Sequence, residues 1–495
     1  MKKKTGWLLA ILAMAAGLRL LLIGTRSIQY DDAFSLLLAE RSLLEIVQGT
    51  AADTMPPLFY FLLHFWGLIQ PGIVFARLLS VLLSLGTVWL VYELVRLVSG
   101  SERGGLAAAF LAAVSPLQIY HAQDIRMYAL VMLTEAGYLV CFFHWIRAKN
   151  GARRRSLFAA GMILCAAAAL YSHNLAGFGL IVPNAYLLLK RDWKNLGRLL
   201  ALQLLVGVFF APWLVYLPGQ LQKIQAAFWT PRPGVIELVQ ALVMLVASLP
   251  LPGVWLWAGV LIALQVVVLT AIEAARLYRK EAQTRDALVF FGLLLLLPPA
   301  LLFGVSYLIR PVFVPRGFLI SSAGLLGLAG LVIARQWKAG GGKLLLGLFV
   351  LAAVISIPYQ ITYQAFPRSP FAEAAAYLSE SQRPGDVIVN DNKLSHFPLA
   401  VYAPELEMKF LADEVGSAND TLAPATQAAM DLTAEGSIAA AAGSADRLRF
   451  IVFAKTLEEY AQMGSAHPAI RWLEMNYALT SKEVFGDLEV RTYER

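Results

Sequence analysis

The segment Tyr30-Asp31-Asp32-Ala33-Phe34 places two adjacent carboxylates just after the first long apolar run of a 495-residue chain. Neighbouring acids at a membrane boundary are costly unless they are exposed, paired or used. Two readings stand. An aspartate caps the amphipathic helix that the pattern places from Ala33 to Glu40, or one of the pair accepts a proton from a hydroxyl. A second polar cluster, Tyr120-His121-Ala122-Gln123-Asp124-Ile125-Arg126-Met127-Tyr128, puts a histidine, an acid and an arginine within one short stretch. It reads as an interfacial anchor with an internal Asp124–Arg126 pair, or as a site that binds an anion and orients a substrate. Tyr171-Ser172-His173-Asn174 is a tight turn or part of the same site. Leu217 to Gly234 carries Lys223, Trp229 and Arg232 in a proline-rich frame, and Arg310 to Gly317 carries Arg310 and Arg316 beside prolines. The planar guanidinium donates two parallel hydrogen bonds, which suits phosphate; lipid headgroups are the plainer partner for the same arginines. Ser42-Leu43-Leu44-Glu45 has the spacing of a capping box.

The elements that must position these residues follow from composition. Hydrophobic residues make up 58% of the chain and charged ones 15%, against about a quarter charged in a soluble domain. Apolar runs of about 18 or more residues recur, as in transmembrane helices. The net charge of +8 does not indicate nucleic acid, because the basic residues sit in short loops between apolar runs. Cys141 and Cys165 lie inside apolar segments and offer neither a disulfide framework nor metal-ligand spacing. Acid-rich loops permit a divalent cation but lack its ligand spacing, so no cofactor is assigned. Met1-Lys2-Lys3-Lys4 and the following apolar run look like a signal peptide, but the run passes Ala13-Met14-Ala15 and reads as an uncleaved first span.

Basic stretches at Arg147–Arg155, Lys190–Arg198, Arg276–Arg285 and Arg335–Lys343 mark the cytoplasmic side, with a weaker one between Arg96 and Arg103. Spans then fall near 7–24, 73–98, 105–120, 127–147, 157–171, 174–190, 197–216, 254–276, 287–308, 312–335 and 343–361. That gives about 11 crossings of a plasma membrane, N-terminus inside and C-terminus outside. Pro57–Ile69 and Ile236–Leu249 are too short to cross and read as helices in the outer interface. The polar segments 25–57, 120–126, 217–235 and 309–316 thereby share the outer face with residues 365–495. The tail reads as a small α/β domain, with a helix over Pro370–Glu380, strands at Asp386–Asn390 and Phe450–Phe453, and a helix over Leu457–Met463. The Ala-rich stretch Ala423–Ala445 gives no clear element. The expected fold class is a polytopic α-helical membrane protein, with a transmembrane catalytic domain over 1–362 and an extracytoplasmic α/β domain over 363–495.

In order along the chain, Asp31-Asp32, Pro56-Pro57-Leu58-Phe59-Tyr60, Arg77-Leu78-Leu79-Ser80 and Gln123 to Ala129 resemble glycosyltransferase family 39. Its relatives are the protein O-mannosyltransferases and the aminoarabinose transferases of lipid A, which share the GT-C membrane fold. Pro311–Gly317 and Ala374–Asp386 are also similar to bacterial members, and the resemblance spans roughly residues 5–390. It implies a GT-C-like bundle, a polyprenyl-phosphate sugar as donor, and inversion at the anomeric carbon. Asp31 matches the acid usually taken as catalytic, and Asp32 stands where the family usually has Glu. Asp124 is a shortened form of the family's Glu. Met55 replaces a His that many members carry, which weakens any metal or hydrogen-bonding role there.

The expected reaction is displacement of polyprenyl phosphate by a hydroxyl of a glycan, lipid or protein acceptor. Asp31 and Asp32 form the catalytic pair, with Asp31 as base. Arg126 and Arg316, then Lys223, Arg232 and Arg310, hold the donor phosphate; Tyr30, Asp124, Tyr128 and His173 orient the substrate. No Gly-rich phosphate loop is present, and a lipid donor needs none. Interfacial helices over Ala33–Val47 and Pro57–Ile69 would keep the polyprenyl chain in the leaflet. A transporter or flippase is the alternative from another class. It would carry ionisable residues near the midplane and often repeated halves, and neither pattern is visible in the sequence.

Overall fold

The computed structural model describes residues 2–148, 152–226, 230–417 and 419–495; Trp229 and the centre of the basic stretch 147–155 lie outside these. The chain is a polytopic helical membrane protein. Seven helices among the described residues are long and apolar enough to cross a membrane, or eight if one bent pair counts as a span. Several spans expected from the sequence are shorter or broken, and the breaks build the site.

The first elements are α1 (Lys2–Leu20), α2 (Tyr30–Ala39), α3 (Leu43–Ala52), α4 (Leu58–Gly67) and α5 (Ile73–Ser99). The single amphipathic helix expected over Ala33–Val47 is two, α2 and α3. The chain turns between them because Ser42 caps α3: Glu45 Oε2 accepts the Ser42 N–H at 2.9 Å, and Ser42 Oγ accepts the Glu45 N–H at 3.4 Å.

In place of a straight span at 105–120, α6 (Glu102–Val114) and α7 (Pro116–Ala122) meet at 57°. Pro116 has no N–H to continue the ladder, and Ser115 Oγ caps the new helix through the Gln118 N–H. The break leaves carbonyls of α6 without helical donors. Arg19 of α1, fully buried, donates to Ala112 O and Ala113 O at 3.1 and 3.0 Å. A buried arginine in an apolar helix is thereby satisfied, and it pins α1 to the break.

The bundle continues with α8 (Tyr128–Arg147), α9 (Ala152–Ser172), the short α10 (Gly177–Leu180) and α11 (Val182–Leu189), α12 (Trp193–Leu214), α13 (Leu217–Ala226) and α14 (Val235–Val246). It closes with α15 (Gly253–Lys280), α16 (Arg285–Leu308), α17 (Ser321–Arg335) and α18 (Gly341–Thr362). The span expected over 312–335 begins only at Ser321, which leaves Arg316 in a 3₁₀ turn, Pro315–Phe318. At 15 residues α17 is about 22 Å long, shorter than the ~30 Å hydrocarbon core. Every residue from Ser321 to Ile333 is buried. Its glycines admit the neighbouring backbones: a Cβ at Gly324 would lie 2.5 Å from the Leu295 nitrogen, and one at Gly330 2.7 Å from Gly104 O.

Beyond α18 the chain forms a five-stranded mixed sheet of order β2-β1-β3-β5-β4. The strands are β1 (Val387–Asn390), β2 (Met408–Phe410), β3 (Arg447–Phe453), β4 (Ala478–Phe485) and β5 (Leu488–Glu494). β1 pairs in parallel with β2 and β3, and β5 runs antiparallel to β3 and to β4. The expected helix at 370–380 is α19 (Phe371–Ser381); the β4–β5 hairpin was not foreseen. The sheet region is seated on α2 and α3. α20 (Lys393–Tyr402) packs on α2, with Phe397 5.0 Å from the Tyr30 ring and 6.3 Å from Phe34. Part of the Ala-rich stretch forms α21 (Pro424–Ala429), which lies on α3 through a 3.1 Å bond from Thr426 Oγ1 to Gly49 O.

Candidate active site

Gln29 precedes α2 in extended backbone, and Asp32, in the first turn, accepts the Gln29 N–H through Oδ2 at 3.2 Å. An acid here suits the positive end of the helix dipole. Asp32 Oδ1 accepts the Ile125 N–H at 2.8 Å, and Oδ2 also pairs with Arg368 at 3.0 Å. The expected cap therefore forms in reverse, with Asp32 inside the helix bonding back to its start. The Asp32 side chain is fully buried, whereas that of Asp31 is 29% exposed and lines a cavity of about 580 Å³.

Residues 123–127 join α7 to α8 under this turn. Asp124 does not pair with Arg126. It meets Arg368 at 2.6 Å, Arg26 at 3.3 Å and His121 Nδ1 at 2.9 Å. Burial alone would raise its carboxyl, but Arg26, the His121 hydrogen bond and Arg368 hold it well below the usual carboxylate range. The arginines also stack on Tyr120, with Arg26 4.0 Å and Arg368 5.5 Å from the ring centre. Two acids and the arginines Arg26 and Arg368 thus form a buried cluster, with buried Arg77 beside it. The Arg77-to-Ser80 motif holds its frame: Arg77 donates to Ile23 O and Arg26 O at 2.6 and 2.7 Å, and Ser80 Oγ to Asp124 O at 2.7 Å.

Arg126 reaches Asp31 O, Ser35 Oγ and Tyr60 Oη, each at 3.3 Å, from a buried position. Arg316 lies 3.5 Å from Asp31 Oδ2 and lines the cavity with Tyr128 and Asp124. Tyr30 packs between Phe34 and Phe397 beside Asp31. His173 Nδ1 accepts the Leu175 N–H at 3.1 Å; burial, with Arg316 and Arg126 nearby, lowers its pKa to about 3, so it stays neutral.

Of the five expected phosphate ligands Arg316 lines the cavity, and Arg126, Lys223, Arg232 and Arg310 do not. Lys223 pairs with Asp53 at 3.0 Å and donates to Ala52 O, tying α13 to the open C-terminus of α3. Arg310 donates to Gln225 O, and Arg232 is exposed.

Sequence reasoning missed Arg26, Arg368, Glu237 and Gln240. Arg26 follows the first apolar run, and Arg368 is flanked by Pro367 and Ser369-Pro370, the same proline-framed pattern that singled out Arg310 and Arg316. Glu237 and Gln240 stand on one face of α14, which walls the cavity with Met244. Among the described residues no three His, Cys, Asp or Glu side chains converge as metal ligands. Asp32 and Asp124 are sealed by arginines and Asp31 faces Arg316, a donor set that does not fit a divalent cation.

The chain is similar in structure to ArnT from Cupriavidus metallidurans. The apo form aligns with a TM-score of 0.67 at 13% identity, covering 99% of this chain and 98% of that one. The form bound to undecaprenyl phosphate aligns with a TM-score of 0.64 at the same identity and coverage. The oligosaccharyltransferase AglB from Archaeoglobus fulgidus, in complex with an inhibitory peptide and a dolichol-phosphate, aligns with a TM-score of 0.55 at 12% identity, covering 99% of this chain and 74% of that one. The chain has the GT-C fold over nearly its whole length. No family model and no curated protein matches the sequence.

Proposed function

We propose that this protein is an inverting glycosyltransferase that moves a sugar from a polyprenyl-phosphate donor to an acceptor hydroxyl on the extracytoplasmic face. The observation that carries the reading is Asp31. Of the three acids in the α2 turn and the loop before α8 it is the partly exposed one, and it faces a large cavity with Arg316 3.5 Å away; Glu237, across the cavity on α14, is held by the Gly234 N–H at the start of its own helix. The GT-C fold supports the same reading, and the ArnT and AglB structures hold undecaprenyl phosphate and dolichol-phosphate.

The cavity has a polar end at Gln29, Asp31, Arg316 and Arg368, and an apolar end at Met244, Leu249 and Phe313. An amphipathic space of this kind suits a phosphate headgroup with the first part of its lipid chain. The acceptor oxygen attacks the anomeric carbon as the bond from that carbon to the phosphate oxygen breaks. Asp31 takes the hydroxyl proton, and Arg316 turns from Asp31 toward the charge that develops on the departing polyprenyl phosphate. Arg126 steadies the Asp31 backbone and adds positive potential from behind. Asp32 and Asp124, held by arginines, position the turn. His173, neutral, caps the 3₁₀ turn after α9. The bundle over 1–362 carries the chemistry, and residues 363–495 form an outer domain.

The test supplies purified full-length protein in vesicles with a labelled undecaprenyl-phosphate hexose or pentose and a membrane glycan extract. Release of free undecaprenyl phosphate together with labelled acceptor is expected. Lipid movement across the vesicle without cleavage of the donor would replace the reading with transport.

A further inference from the structure

The segment between α18 and α19 is irregular, yet it sends one side chain into the centre of the site. Arg368 is 1% exposed. Its Nη1 pairs with Asp32 Oδ2 at 3.0 Å and donates to Ser27 O at 2.7 Å, while Nη2 pairs with Asp124 Oδ1 at 2.6 Å. One guanidinium thus joins the first turn of α2 to the loop before α8. The two carboxylates are not equal in what they keep without it. Asp124 retains direct contact with Arg26 and His121, whereas Asp32 keeps the N–H groups of Gln29 and Ile125 and the charges of Arg77 and Arg26 nearby, without an ion pair of its own. A buried carboxylate that loses its direct ion pair is destabilised, so the strain would fall on the turn that carries Asp31.

The same segment is anchored to the sheet region at its other end. The Phe366 N–H donates to Asp487 Oδ2 in the β4–β5 turn at 2.7 Å. Ser27 Oγ donates to Ser369 O at 2.7 Å, and the Ile28 N–H to Tyr402 Oη of α20 at 3.2 Å. Contacts therefore run from the hairpin turn through Phe366 and Arg368 to Asp32, one residue from Asp31.

We propose that Arg368 is a positioning residue through which the C-terminal domain fixes the Asp31 turn, so that the outer domain is a working part of the transfer site. This inference rests on the transferase reading above, and its test includes a readout that needs no activity. In full-length Arg368→Gln, amide exchange should quicken over residues 29–36 and 123–127, while β1 and β3 keep wild-type protection. Turnover should fall about 100-fold, the scale of a small misplacement of a reacting group, with the KM for the lipid-linked donor near the wild-type value. Added guanidinium should restore part of the turnover of Arg368→Ala, and Arg368→Lys, a point charge without the fork, should recover little.

Unchanged exchange over 29–36 would overturn the inference. A loss confined to KM would also overturn it, by making Arg368 a donor ligand. Loss of protection in β1 and β3 as well would reduce it to a folding determinant and contradict the assigned role. A wild-type protein that cleaves no lipid-linked donor would sink the transferase reading, yet leave the exchange comparison standing.

Discussion

Asp31 and Asp32 end in opposite surroundings because successive side chains on a helix diverge by about 100°. One points into an arginine cluster and the other into the cavity. The Asp-Asp pair was legible as a motif, but its division of labour was not, since the partner that seals Asp32 lies 336 positions away. His173 gives a prediction at the same scale. The folded chain takes up its proton only near pH 3, while an unfolded histidine does so near ~6.5. The unfolded state therefore binds more protons between those values, and stability is lost as pH falls below ~6.5. Buried His396, lowered to about 4, adds in the same direction. His173→Asn keeps an acceptor for the Leu175 N–H, so it should flatten the thermal-stability profile by about 2 kcal/mol near pH ~5 relative to ~7.5. An unchanged slope would place the proton uptake elsewhere.

Helices that carry the site are the ones that depart from straight spans. The α6–α7 break, the two short helices α2 and α3, and the late start of α17 each expose polar backbone that a plain hydropathy pattern does not reveal. Pro116 marks the first break in the sequence, but a proline within an apolar run is compatible with a continuous kinked span. What settles it is Arg19, whose bonds to Ala112 O and Ala113 O replace the lost helical donors. Arg19→Leu should cost about 2–4 kcal/mol, because two buried carbonyls lose their partner, and it should lower the melting temperature in detergent. Gly330→Leu should be at least as disruptive: even a Cβ meets the α6 backbone at 2.7 Å, and failure to accumulate folded protein is expected. A well-folded Gly330→Leu protein would mean that α17 and α6 do not sit this close.

Across the molecule, membrane class, the bundle and an α/β tail followed from composition and parity, because burial in lipid imposes long apolar runs. The hairpin β4–β5 escaped notice because β4 is largely exposed and reads as a polar edge strand. Orientation is testable by fusion. A reporter active only outside the cytoplasm should work after Arg495 and fail after Lys338; the reverse pattern would invert the parity argument. The proposed transfer reaction turns on the cavity-facing carboxylate of Asp31. Its most direct test is the turnover of Asp31→Asn against wild type on a labelled polyprenyl-phosphate sugar, in preparations shown to bind undecaprenyl phosphate equally. Removing a general base should cost at least about 100-fold, with binding retained. Turnover near the wild-type level would contradict the assignment of Asp31 and, with it, the site described here.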